Sequence, residues 1–276
     1  MIQIDNLAFS YGSKEVLRNI SMTLETGKIY GLLGENGVGK TTLLTLLCGL
    51  KKTQTGTITT DGHDPYKREP SLLQDQYYLP DEVAPLYDKA LGWARATGKF
   101  WPNFSLDKFE TILKEFEVEP DQKMNAMSSG QLKKTYIAFA LAAGVRYLYL
   151  DEPTNGLDIP SKAQFRSALM KYTAEDSTIV ISTHQVRDLE NIIDPIIILD
   201  HQDVLLNATI ERIADKLYFD YGTILHPESL YSEQLPGGLI QVYPNTTGAD
   251  SKVNIEALFN TVHKHKELVK NLFSNE

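Results

Sequence analysis

The feature that most constrains this chain is an eight-residue run, Gly34-Glu35-Asn36-Gly37-Val38-Gly39-Lys40-Thr41. It follows a continuous apolar stretch, Ile29-Tyr30-Gly31-Leu32-Leu33, and it opens a segment, Thr41 to Leu50, with apolar residues at helical spacing. The order is a strand buried on both faces, a glycine-rich turn and a helix, with the spacing G-x-x-x-x-G-K-[ST] of a phosphate-binding loop. Glycines let backbone N–H groups turn inward and approach phosphate oxygens without a Cβ in the way. The helix that follows presents the positive end of its dipole. Lys40 then places a cation on the β- and γ-phosphates of a nucleoside triphosphate, and the Thr41 hydroxyl is placed to ligate Mg²⁺. Gly34, Asn36, Gly37, Gly39 and Thr42 complete the expected phosphate-binding set.

Two further strand-like runs end in polar residues. Tyr147-Leu148-Tyr149-Leu150 leads into Asp151-Glu152, and Thr178-Ile179-Val180-Ile181 leads into Ser182-Thr183-His184. In an open parallel sheet, ligands bind at the carboxyl edge of the strands. Asp151 suits Mg²⁺ through a coordinated water. Glu152 is read as the group that polarises an attacking water, and His184 as a contact for the γ-phosphate that orients that water.

Around these motifs the expected fold class is α/β: a P-loop nucleoside-triphosphatase core with a parallel sheet. Alternating apolar residues at Ile2, Ile4 and Leu7, and at Val16, Ile20, Met22 and Leu24, predict an antiparallel N-terminal β-subdomain. From about 82 to 145 the pattern is helical and irregular, with Trp93, Trp101, Phe104, Phe109, Ile112, Leu113 and Phe116 as core positions, and is read as an inserted α-helical subdomain. Strand patterns at 147–150, 178–181 and 196–199, separated by helix-like stretches, predict strand–helix–strand units. Residues 1–210 form the expected nucleotide-binding domain. Residues 211–276 form a small α+β extension, with strands near Tyr218 to Leu225 and Leu239 to Tyr243 and one amphipathic helix from about Val253 to Phe273.

A formal net charge of −9 argues against nucleic acid as a partner, because phosphate neutralisation needs a concentrated basic face. The single cysteine, Cys48, excludes an internal disulfide and reads as a small buried hydrophobe. No targeting pattern is expected at the start of the chain, and no apolar run approaches the ~20 residues of a membrane-spanning helix. A membrane role would therefore come through a partner.

With these motifs in order, residues 1–210 resemble the ATP-binding cassette (ABC) family. Met127-Ser128-Ser129-Gly130-Gln131 looks like the family signature L-S-G-G-Q, with Ser129 in place of its first glycine, and Asp151 to Asp158 looks like its D-E-P-T-x-G-L-D run. The resemblance implies that Ser128, Gly130 and Gln131 complete the ATP site of a second subunit, that Tyr11 stacks on adenine, and that His184 is the family's switch histidine. One departure stands out. Where the family usually has Y-L-P-Q, the chain reads Tyr78-Leu79-Pro80-Asp81. Asp81 can still ligate Mg²⁺, but it adds a negative charge beside the phosphates.

The implied protein is an ATPase using ATP and Mg²⁺, a homodimer or a pair with a paralogous cassette. It is expected on the cytoplasmic face of a membrane as a peripheral subunit, driving integral membrane transporter subunits. The short C-terminal extension, with Ile255-Glu256-Ala257-Leu258-Phe259-Asn260, resembles exporters. The alternative is a soluble cassette ATPase acting on ribosomes or nucleic acid.

Overall fold

A computed structural model describes residues 1–273. The strands are β1 (Ile2–Tyr11), β2 (Lys14–Leu24), β3 (Ile29–Leu33), β4 (Thr55–Thr60), β5 (Gln76–Leu79), β6 (Tyr147–Asp151), β7 (Thr178–Thr183), β8 (Ile196–Asp200), β9 (Asp203–Ala208), β10 (Leu217–Gly222), β11 (Tyr231–Leu235) and β12 (Gly238–Pro244). The helices are α1 (Lys40–Leu47), α2 (Pro70–Gln74), α3 (Ala90–Gly98), α4 (Leu106–Glu115), α5 (Ser129–Ala142), α6 (Ile159–Tyr172), α7 (Ile210–Lys216), α8 (Ile255–Lys264) and α9 (Lys266–Phe273).

The central sheet has the order β5-β6-β7-β3-β8-β9. Its neighbours pair in parallel except β8 with β9, which pair antiparallel. Period-two alternation between two buried faces explains why the central strands are mostly apolar, with polar residues at their ends. Tyr30, Leu32, Tyr149, Val180 and Ile197 point into one core, shared with α1 and the β2-β1-β4 sheet. Leu33, Leu148, Leu150, Ile179, Ile181 and Ile198 point into the other, under α5, α6 and the helical region. The same sheet therefore separates the N-terminal strands from the helices, and only its edges are free to carry polar groups.

In the helical region, Phe139 of α5 is fully buried and surrounded by rings: Trp93 at 4.5 Å, Phe104 at 4.9 Å, Tyr77 at 5.5 Å and Trp101 at 5.6 Å between centroids. The second core continues into the last third of the chain through Leu206, Ile213, Phe219, Val242 and Leu258.

The C-terminal segment differs from the expectation in two ways. The single helix expected over 253–273 is two, broken at His265, whose φ of −127° and ψ of 48° are not helical. A His265 ring contact, Nε2 2.7 Å from the Leu230 carbonyl, ties the break to a loop 35 residues earlier. The strand β11 adds an edge to a sheet of order β10-β12-β11. Its outward face is solvated, so it carries no apolar alternation to read. Among the described residues no helix is long and apolar enough to cross a membrane.

Candidate nucleotide site

Parallel pairing sets Leu33 opposite Thr183 and Asp151 opposite Ser182. The chain ends of β3, β6 and β7 thus open at one edge of the sheet, where the loop 34–39, Glu152 and His184 converge. The cleft there has a volume of about 410 Å³ and is lined by Tyr11, Asn36, Gly37, Gly39, Lys40, Thr41, Thr42, Asp81, Glu152 and His184, with Lys14, Val16 and Asn155.

The loop is held by close backbone packing. A Cβ on Gly34 would lie 2.5 Å from the Leu199 carbonyl oxygen, so the start of the turn excludes any side chain. Gly39 has φ 115° and ends the turn as the N-cap of α1, with no side-chain cap on the first helical N–H groups. Those donors are therefore free for an anion. Lys40 is buried and curls back over the loop. Its Nζ donates to the Gly34 carbonyl at 2.7 Å and to the Glu35 carbonyl at 3.1 Å, and lies 3.4 Å from Glu152 Oε1.

Glu152 is strained and heavily constrained. Its φ is 45°, in the left-handed region a β-carbon disfavours. Its N–H lies 3.0 Å from Ser182 Oγ and 3.1 Å from the Ser182 carbonyl. Its Oε2 lies 2.9 Å from His184 Nδ1 and accepts from the His184 N–H at 3.3 Å. Its Oε1 is buried and accepts no hydrogen bond. A buried carboxylate oxygen without a donor, beside a lysine, is placed to take a proton from a water in the cleft.

Asp151 lies behind Glu152 and is buried. Ser182 Oγ donates to its Oδ1 at 2.5 Å and the Tyr78 hydroxyl to its Oδ2 at 3.2 Å. Burial, then the nearby Asp151 charge, push the Tyr78 phenol above its ordinary value, so it remains a donor. Tyr11 stands at the rim, 48% exposed, its hydroxyl 3.3 Å from Thr42 Oγ1 and its ring 5.0 Å below Lys51 Nζ. A half-exposed ring at the rim of the cleft has a face of the kind on which a flat base can stack.

The structure does not bring Ser128, Gly130 and Gln131 into this cleft. They form the start of α5. Ser128 Oγ accepts from the Gln131 N–H at 3.2 Å and Gln131 Oε1 accepts from the Ser128 N–H at 3.0 Å, a reciprocal capping box. Gly130 sits near Gly156, whose carbonyl oxygen would be 3.7 Å from an added Cβ.

Asp81 reaches the cleft from the loop after β5. Asn155 Nδ2 donates to its two oxygens at 3.1 and 3.4 Å, and Lys133 Nζ lies 3.6 Å from Oδ1. Asn155, Ser182 and Lys133 were not marked as site residues by the sequence. Asn155 and Ser182 sit inside motifs, which is a signal in itself, whereas Lys133 gave none. Cys48 is buried, and burial pushes its thiol up to about 11, which makes it an inert hydrophobe.

Hard oxygen donors at Thr41, Asp81 and Asp151 suit Mg²⁺, which prefers a few protein oxygens completed by phosphate and water. Among the described residues no group of three or more His, Cys, Asp or Glu could by itself hold a metal ion.

Residues 17–155, half of the chain, match the model of the ABC transporter family. The chain is 31% identical over 193 residues to the ABC transporter ATP-binding protein YtrB of Bacillus subtilis (strain 168), covering 69% of this chain and 65% of that protein. It is 30% identical over 212 residues to the ABC transporter ATP-binding protein NatA of the same organism, covering 72% and 84% of the two chains. A solved ATP-binding subunit of an ABC transporter superposes with a TM-score of 0.69 at 23% identity, covering 77% of this chain and 91% of that one, which shows the shared fold. On this footing the chain belongs to the ABC transporter family, as one of its ATP-binding, ATP-hydrolysing subunits.

Proposed function

We propose that this subunit is the nucleotide-driven motor of an exporter whose membrane-spanning part is carried by separate subunits. One observation carries the reading. Lys40, Glu152 and His184 converge on a cleft at the sheet edge, while Ser128, Gly130 and Gln131, at the start of α5, lie outside it. A signature with no role on its own chain's nucleotide is supplied with one if two chains close head to tail. Each phosphate loop then faces the other chain's α5 N-terminus.

In this scheme the N–H groups at the start of α1 and the Lys40 ammonium bind the phosphates, and Tyr11 takes the base. Bound Mg²⁺ neutralises charge on the β- and γ-phosphates. Thr41, Asp81 and Asp151 are assigned as the residues that would hold it, the Asp151 oxygens already accepting from Ser182 and Tyr78 and the Asp81 oxygens from Asn155. Glu152 takes the proton of the attacking water and His184 keeps Glu152 and that water in place. ATP at the interface favours the closed pair, and its hydrolysis releases it.

The pair is proposed to be a homodimer or to include a paralogous cassette, peripheral on the cytoplasmic face of the membrane. The division at 210/211, with residues 211–276 as an extension, and export as the direction rest on the resemblance of that short extension. The direct test uses Glu152→Gln, which should slow opening. Light scattering should show ATP and Mg²⁺ converting this variant from monomer to dimer. A monomer at saturating ATP, with no co-purifying partner cassette, would sink the head-to-tail reading.

A further inference from the structure

The carboxylate at position 81 meets a cation from another element. Lys133 lies in the second turn of α5 and is only 4% exposed, a rare state for lysine. Its Nζ donates to the Asp81 carbonyl at 2.5 Å and the Pro80 carbonyl at 3.3 Å, besides facing the Asp81 carboxylate. Burial holds the Lys133 ammonium below its ordinary value, with Asp81, then Asp151 and Glu152, opposing in part. Asn155, three residues beyond Glu152, donates to the same carboxylate. Asp81 is thus gripped by the helix that begins at Ser128 and by the loop that follows the hydrolytic edge.

The electrostatic need for this grip is plain. Asp151 and Glu152 already place negative charge at the sheet edge, and Asp81 lines the same cleft as Lys40. A further uncancelled carboxylate there would repel a triphosphate, and a neutral side chain would avoid the cost. A buried cation beside the carboxylate avoids it in another way.

We propose that Lys133 is a positioning residue of the nucleotide site: it neutralises Asp81 from α5, and so lets a carboxylate face the triphosphate in this chain. The proposal rests on the nucleotide-site reading above. Its Nζ also ties the Asp81 loop to α5 through the Pro80 and Asp81 carbonyls.

The test is equilibrium binding of a fluorescent ATP analogue to the full chain with Mg²⁺, alongside the thermal midpoint. Lys133→Met should weaken binding about tenfold or more, because it leaves the Asp81 charge uncancelled. Lys133→Arg should retain most of the affinity. Measured without divalent cation, so that Asp81 as a Mg²⁺ donor does not enter, the double variant Asp81→Asn with Lys133→Met should bind more tightly than Lys133→Met alone, since neither charge is then left alone. A Lys133→Met chain that melts earlier yet binds as tightly as the unsubstituted chain overturns the proposal, and so does a double variant no better than the single. Should Lys133→Met fail to fold, Asp81→Asn carries the test. Without divalent cation its affinity for ATP should rise several-fold, as the carboxylate that lines the cleft is gone and the Lys133 charge behind it is no longer cancelled, and an unchanged affinity overturns the proposal. If the unsubstituted chain does not bind, the site reading fails and takes this proposal with it. If it binds and the Lys133 variants match it, only the proposal falls.

Discussion

Lys40 and Glu152 are paired across the cleft, Nζ to Oε1 at 3.4 Å, both side chains buried. The lysine of the phosphate loop and the carboxylate at the end of the next strand but one thus neutralise each other when no phosphate is between them. On the proposed reading, a triphosphate entering the cleft would draw Lys40 away from Glu152 and from the two loop carbonyls to which it donates. Binding and the release of the hydrolytic carboxylate are then one event. A buried pair of this kind contributes little by itself, but losing one partner leaves the other charge uncompensated.

Replacing Lys40 should therefore do two things at once. Lys40→Ala is expected to lower ATP affinity by about tenfold or more, because the charge-assisted contacts to the phosphates are lost. It should also lower the thermal midpoint of the nucleotide-free chain, because Glu152 keeps only His184 as a partner. Calorimetric titration with ATP and a melting curve check the two. Unchanged affinity would mean that the phosphate cradle has been misassigned.

Glu152→Gln separates the pair differently. The amide keeps the size of the side chain and removes the base. Steady-state phosphate release should fall by about 10²–10⁴-fold, the usual contribution of a placed general base, with ATP affinity kept or improved. Hydrolysis near the unsubstituted rate would move the water-activating role elsewhere in the cleft.

His184 acts on the same carboxylate from the other side, Nδ1 2.9 Å from Oε2. His184→Ala should slow turnover by about tenfold or more while leaving ATP affinity within about threefold, because it removes the holder of the base and leaves the phosphate contacts in place. A loss of affinity matching the loss of turnover would place His184 on the ground-state nucleotide instead.

That the phosphate loop, the Asp151-Glu152 pair and His184 meet at one sheet edge was legible because each follows an apolar strand of the parallel sheet. The Ser128–Gln131 capping box is a local pattern of the same kind. Other features are made only by the fold. Lys133 in a helix reads as a solvated side chain, and it is buried because Pro80 and Asp81, some 50 residues earlier, come to rest on it. The break at His265 is hidden because the amphipathic period runs on through it, and it is fixed by a contact to Leu230. The strand β11 was missed since only Tyr231 among its residues is buried.

The aromatic cluster around Phe139 predicts a stability effect separable from chemistry. Phe139 fills the space between Trp93, Trp101, Phe104 and Tyr77. Phe139→Ala should cost about 3–5 kcal/mol, the transfer loss plus the cavity, which for a chain of this size lowers the melting midpoint by roughly 10 °C. Phe139→Leu should recover a good part of that. A midpoint unchanged by the alanine would show that α5 is not held by this cluster.

His263 predicts a pH dependence. Its ring lies 4.2 Å from the Phe259 ring, its Nδ1 is 3.7 Å from Asp200 Oδ1, and its Nε2 is buried without a partner. Burial pulls its pKa below the ordinary 6.5, with Lys266 and His201 acting the same way and Asp200 and Glu35 opposing. The unfolded chain takes up this proton near the ordinary value, and the folded chain takes it up only at lower pH. Between the two the unfolded state binds more protons, so stability falls as the solution is acidified through about 6.5 towards the folded value. Above that window the imidazole is neutral in both states and contributes no slope. His263→Phe should therefore flatten this part of the acid limb when the melting midpoint is measured against pH for both chains. Parallel curves for the two chains would show that the burial of His263 does not couple protonation to the docking of α8.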